Sequence, residues 1–121
     1  MRGEPGMMVS ELAKILDAKP VVEGGDLDAE VTCGYSCDLL SWVLAHGKKG
    51  MAWTTVQTHM NVIAVAVLME MACVILAEDN QLEEASLKKA QEEGLAVLVS
   101  SKTAYELCAL MAQAGVSPSA E

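Results

Sequence analysis

Phenylalanine is absent from this chain of 121 residues, and the aromatic content is 3%, limited to Trp42, Trp53, Tyr35 and Tyr105. Core bulk must therefore come from Val, Leu, Ala and eight Met. Basic residues are also scarce. Eight Lys and Arg stand against 17 Asp and Glu, for a net charge of −9. A nucleic-acid binder needs clustered cations to displace counterions, and these eight are scattered, so no nucleic-acid partner is expected. The same balance argues against an anionic membrane surface. Part of the acidity has a simpler reading as the water-facing side of one helix, carrying Glu83, Glu84, Glu92 and Glu93.

Long apolar runs are missing as well. Residues 1–8 lack an apolar core of secretory length. Residues 62–77 are the most apolar stretch, but they contain Glu70 and fall short of the roughly 20 residues a membrane span requires. They read as a buried helix running into a buried strand. The expectation is a cytoplasmic protein with no membrane association.

Catalytic signatures are missing too. No G-x-S-x-G elbow, H-E-x-x-H or Ser-His-Asp spacing appears. Gly47-Lys48-Lys49 is not a phosphate loop, because Trp42 and Lys49 stand where a Walker motif needs Gly and Ser or Thr. Cys33, Cys37, Cys73 and Cys108 show neither zinc-type paired spacing nor C-x-x-C. His46 and His59 complete a metal set only if the fold brings them near. No metal and no cofactor are expected, and the cysteines read as small apolar residues.

What is present is a regular beat. Apolar runs begin near Val31, Met51, Cys73 and Leu95, at intervals of about 20 residues, and each precedes a helix-like stretch. That spacing predicts a parallel sheet, whose ligands bind outside the carboxyl ends of the strands. Strands are expected at residues 31–35, 51–56, 73–77 and 95–99, with a short edge strand at 20–23. Ser10 is expected to cap a helix through Asp17, and Asp38 one running to His46. Further helices are expected at 61–71, 82–93 and 103–114, the last two stopped by Gly94 and Gly115. The fold class is therefore α/β, a single domain with a largely parallel sheet flanked by helices. Residues 1–9 and 116–121 are expected to be flexible ends around a domain at 10–115.

The third of these helices is apolar on every side, from Val62 to Met69. A helix apolar all round is buried all round. Either the monomer sandwiches it, or a second subunit covers Val62, Val65, Ala66 and Met69 in a homodimer.

The stretch ACVILAEDNQLEEASLKKAQEEGLAVLVSSKTAYELCALM resembles the DRTGG domain family, as does MAWTTVQTHMNVIAVA upstream. The resemblance covers roughly residues 31–111. It implies a small bacterial accessory module, dimeric, of the kind found beside nucleotide-sensing domains in regulated pyrophosphatases. It also implies a fold similar to the N-terminal domain of the kinase of the phosphocarrier HPr. The family's name-giving Gly-Gly turn falls about where Glu78 and Asp79 stand here.

Polar residues collect at the expected carboxyl ends. Thr55, Gln57, Thr58, His59 and Asn61 join a strand to a helix start, where free N–H groups favour an anion. The bland alternative is that Thr58 caps the helix and His59 is a solvated loop residue. Ser100, Ser101 and Thr103 occupy the equivalent place after the last strand, although Thr103 and Glu106 also match a capping box. Asn80 and Glu83 make another plausible cap pair. The function expected is non-catalytic sensing of a nucleotide or other small anion. A protein-interaction subunit is the alternative, and an enzyme using His59, Ser100 and Ser101 is a third.

Overall fold

The computed structural model describes residues 6–118. The parts of the expected flexible ends at 1–5 and 119–121 lie outside the described residues. The elements in chain order are β1 (Met7–Met8), α1 (Val9–Leu16), β2 (Lys19–Pro20), β3 (Glu30–Val31), β4 (Cys33–Ser36) and α2 (Leu40–His46). Then come β5 (Met51–Thr55), α3 (Met60–Leu68), β6 (Cys73–Leu76), α4 (Glu84–Glu93), β7 (Ala96–Val99) and α5 (Ala104–Gln113).

Strands β4 to β7 form a parallel sheet in sequential order, with β2 added antiparallel beyond β7. Strands β5, β6 and β7 are buried along their whole length. That is why they read as continuous apolar runs rather than as alternating ones. Their side chains still alternate between two cores. Ala52, Cys73, Ile75, Ala96 and Leu98 pack under α1 and α5, with Leu12, Leu16, Leu107 and Met111. Met51, Trp53, Val74, Leu76 and Val97 pack under the other helices, with Val43, Val62, Ile63 and Ala90. At these ends and faces the sheet is a two-sided α/β sandwich of the expected class.

Local chemistry differs from expectation in several places. The run from Val31 to Tyr35 is not one strand. Glu30–Val31 pairs antiparallel with Met7–Met8, whereas Cys33–Ser36 joins the main sheet. Thr32 makes the break, tied by its N–H to Gly50 O (2.8 Å) and by its hydroxyl to Lys49 O (3.0 Å). Val31 and Cys33 consequently enter opposite cores. Gly50 holds φ +78°, and a Cβ there would sit 2.6 Å from Thr32 Oγ1, so only glycine lets the two chains approach.

The described parts of both ends make contacts with the rest of the fold. Met7 and Met8 are strand residues, and Val9 is fully buried. After α5, Val116 N–H donates to Met111 O, and Ser117 O accepts from Gly34 N–H at 2.9 Å.

Four expected caps are absent. Ser10 lies inside α1, whose N-cap is Met8, with Glu11 accepting from the Met8 N–H. Leu39 and Glu83, not Asp38 and Asn80, are the N-caps of α2 and α4. Thr58 does not cap α3, whose N-cap is His59 with no side-chain bond. The Thr103–Glu106 capping box does form, at 2.9 and 3.1 Å.

Helix α3 is sandwiched between α2 and α4 over the sheet. Val62 and Ala66, expected at a subunit interface, are fully buried within the chain itself. They pack in the core with Trp53, Val74 and Val97 of the sheet. Val65 and Met69 are half-buried, and the outward line of the helix is instead Ala64 and Leu68. No helix among the described residues is long and apolar enough to cross a membrane.

Candidate functional site at the carboxyl edge of the sheet

Because β4 to β7 run parallel, the loops that follow them open on one edge. The expected convergence of residues 55–59, 78–80 and 100–103 on a single rim follows from this topology. The rim is closely cross-linked. Glu78 N–H donates to Lys102 O and Asp79 N–H to Ser100 O, both at 2.9 Å. On the other side, Glu83 N–H donates to Thr58 O at 3.3 Å. The loop after β6 therefore stands between the 55–59 loop and the 100–103 loop and bonds to each.

Glu78 and Asp79 hold φ +59° and +60°. Two successive left-handed residues are a backbone that favours glycine, and here both are carboxylates exposed to water. They add negative charge to the rim.

The 55–59 loop is organised by a residue the sequence reading assigned elsewhere. Asp38 Oδ1 accepts from Thr55 Oγ1 at 2.7 Å and from Val56 N–H at 2.9 Å. Gln57 Nε2 donates to Asp38 O at 2.8 Å, and Gln57 Oε1 accepts from His59 Nε2 at 3.1 Å. Trp53 Nε1 donates to Cys37 O at 2.9 Å, which fixes the chain just before Asp38. Thr55 is buried, so its hydroxyl needs an acceptor, and Asp38 supplies it. Sequence reasoning missed this because Asp before a helix is the usual capping signal. Only the fold shows that the carboxylate turns toward β5.

Among the expected ligand residues, Thr55 and Gln57 are thus occupied by Asp38, and His59 by Gln57. Ser100 is buried and accepts from Lys102 N–H at 3.0 Å, and Thr103 is held in its capping box. Thr58, Asn61 and Ser101 make no side-chain hydrogen bond among the described residues. Lys102, also missed, is half-buried on this rim with no ion pair among the described residues. Helix α3 begins here with no side-chain cap and no acidic residue in its first turn, which leaves the Met60 and Asn61 N–H groups open. No hydrogen bond joins His59 to Ser100 or Ser101 among the described residues.

Beside the rim, Tyr35 lies against Cys37 and Trp42. Burial, and then the Cys37 thiol, push the Tyr35 hydroxyl above its ordinary value of 10.0, with Trp42 pulling the other way. Trp42 stacks on His46, ring centres 4.3 Å apart. No group of three or more His, Cys, Asp and Glu able to hold a metal occurs among the described residues. Two hollows lie at the opposite, amino edge of the sheet. One, of about 810 Å³, is bordered by Met8, Glu11, Asp28, Thr32 and Val116, and one of about 180 Å³ by Asp26, Glu70, Met71 and Glu93. The carboxyl rim carries both donors and the exposed carboxylates of Asp38, Glu78 and Asp79.

No family model and no curated protein matches the sequence. Among solved structures, the fold is similar to the crystal structure of the CBS and DRTGG domains of the regulatory region of Clostridium perfringens pyrophosphatase, complexed with its activator diadenosine tetraphosphate. The TM-score is 0.69 over 84% of this chain, at 9% sequence identity. The match takes in 44% of that chain, so this protein spans less than half of the regulatory region it resembles. The likeness is one of fold. It agrees with the DRTGG-like architecture expected from residues 31–111.

Proposed function

We propose that this chain is a regulatory module, non-catalytic and related to the DRTGG domains, that senses a nucleotide or another small phosphorylated anion at the carboxyl rim of its sheet. One observation carries the reading: the uncapped start of α3 opens on the same rim as Thr58, Ser101 and Lys102, whose side chains have no hydrogen-bond or ion-pair partner among the described residues. Backbone donors at a helix start, hydroxyls and one cation are the groups that take phosphate. The nucleotide-bound regulatory region with a similar fold supports the same direction.

The test is a thermal-shift panel of nucleotides and inorganic phosphate on the full chain. A ligand that binds only the folded state at 100 times its Kd adds about 2.7 kcal/mol of stability, a shift of several degrees in a domain of this size. The Met60, Asn61 and Ser101 amide resonances should move with it. A panel with no shift sinks the reading.

A second reading, association with another copy of the chain in the cytoplasm, is favoured by one observation. Leu39, Trp42, Met60 and Leu68 are exposed on the α2–α3 layer, Leu68 by 68%. Sedimentation at micromolar concentration tests it. A monomeric wild type overturns the reading, and an association that persists in Leu68→Lys excludes that face.

A further inference from the structure

The Asp38 carboxylate has no role in starting α2. The N-cap is Leu39, and no side chain bonds there. Instead, one carboxylate oxygen takes up two donors at the mouth of β5, the Thr55 hydroxyl and the Val56 N–H. A hydroxyl and a main-chain N–H converging on one oxyanion, at the carboxyl end of a parallel strand, make the contact that phosphate oxygens make elsewhere. Here the oxyanion belongs to the protein.

We infer that Asp38 is an internal plug in an anion site, so that a phosphate group and the Asp38 carboxylate compete for the same two donors. This rests on the proposed sensing role and adds the Thr55 hydroxyl and Val56 N–H to the donors of that rim. Three further observations fit a plug better than a fixed strut. The main chain around Asp38 is held independently, by Trp53 Nε1 on Cys37 O and by Gln57 Nε2 on Asp38 O, so the carboxylate can leave by side-chain rotation with the loop in place. Asp38 is exposed, so the displaced group swings into water. Thr55 is buried, and with Asp38 gone its oxygen keeps only the contact in which Gln57 N–H donates to it, at 3.3 Å. The hydroxyl proton then lacks an acceptor, and an incoming phosphate oxygen provides one.

The experiment titrates inorganic phosphate into the full-length wild type, Asp38→Ala, Asp38→Ser and Asp38→Asn, followed by calorimetry and by amide resonances. Removing the competing carboxylate should tighten phosphate binding at least about tenfold in Asp38→Ala, since a hydrogen bond to a charged group is worth that much or more. The Thr55 and Val56 amides should carry the largest shifts. Asp38→Asn, which keeps a neutral acceptor in place, should fall between wild type and Asp38→Ala. Asp38→Ser gives the same comparison if Asp38→Ala does not fold. Equal phosphate affinity in wild type and variants overturns the plug, and so does tighter binding that leaves Val56 undisturbed. A wild type that answers to no nucleotide, beside an Asp38→Ala chain that takes phosphate at Val56, overturns the sensing role and leaves the plug standing.

Discussion

Asp38 and Thr55, on neighbouring parallel strands' ends, are joined by a 2.7 Å hydrogen bond between carboxylate and buried hydroxyl. The same oxygen holds Val56 N–H at 2.9 Å, so a single side chain fixes where β5 turns toward α3. In the absence of added anions, Asp38→Ala should cost about 1–3 kcal/mol, because it strands a buried donor. Asp38→Asn should cost less. Urea unfolding at neutral pH checks both.

The left-handed pair at Glu78 and Asp79 makes the opposite prediction. Neither side chain has a hydrogen-bond partner among the described residues, so glycine removes strain without removing a contact. Glu78→Gly should raise stability by roughly 0.5–1 kcal/mol, after the greater freedom of glycine in the unfolded chain is subtracted. Asp79→Gly should gain less, since Asp tolerates this conformation better. Glu78→Ala should gain nothing. A fall in melting temperature for Glu78→Gly would refute the strain account.

The capping box at the start of α5 is the conventional case. Thr103→Ala loses the acceptor for Glu106 N–H and should cost about 1 kcal/mol. An unchanged urea midpoint would contradict the assignment.

Cys73 sets an alkaline limit. It is fully buried in β6, and burial pushes its thiol up to about 12 from an ordinary 9.0. The folded chain keeps the proton and the unfolded chain gives it up above about pH 9. The stability from this site is therefore complete below pH 9 and lost as pH rises toward 12, with a slope approaching 1.4 kcal/mol per pH unit. Tyr35, also raised, acts in the same direction above its ordinary 10.0. Urea midpoints from pH 8 to 11 should fall, and Cys73→Ala should flatten the decline.

The βα beat was legible because burial on both sheet faces leaves no freedom of composition. Strands β5, β6 and β7 agree with their apolar runs to within a residue at each end. The apolar helix α3 was legible as buried, but which neighbours cover it was not, since that depends on how α2 and α4 dock. Helix starts were the least legible. Ser10, Asp38 and Asn80 carry the capping chemistry, yet Asp38 bonds across 17 and 18 residues of sequence and Asn80 bonds back to Ala77 O. A short polar side chain satisfies a near or a distant donor equally well, and only the tertiary arrangement decides between them. The Thr103 box could be read in advance because both of its partners are local.

The bond from Gly34 N–H to Ser117 O bears on how copies of this chain can meet. It occupies an outward donor of the last strand on one side of the sheet, while on the other side the last strand is two residues long and contains Pro20, which has no N–H to give. Neither border offers an uninterrupted ladder for a stranger's backbone. Both margins of the five-stranded sheet are therefore poor templates for a further strand.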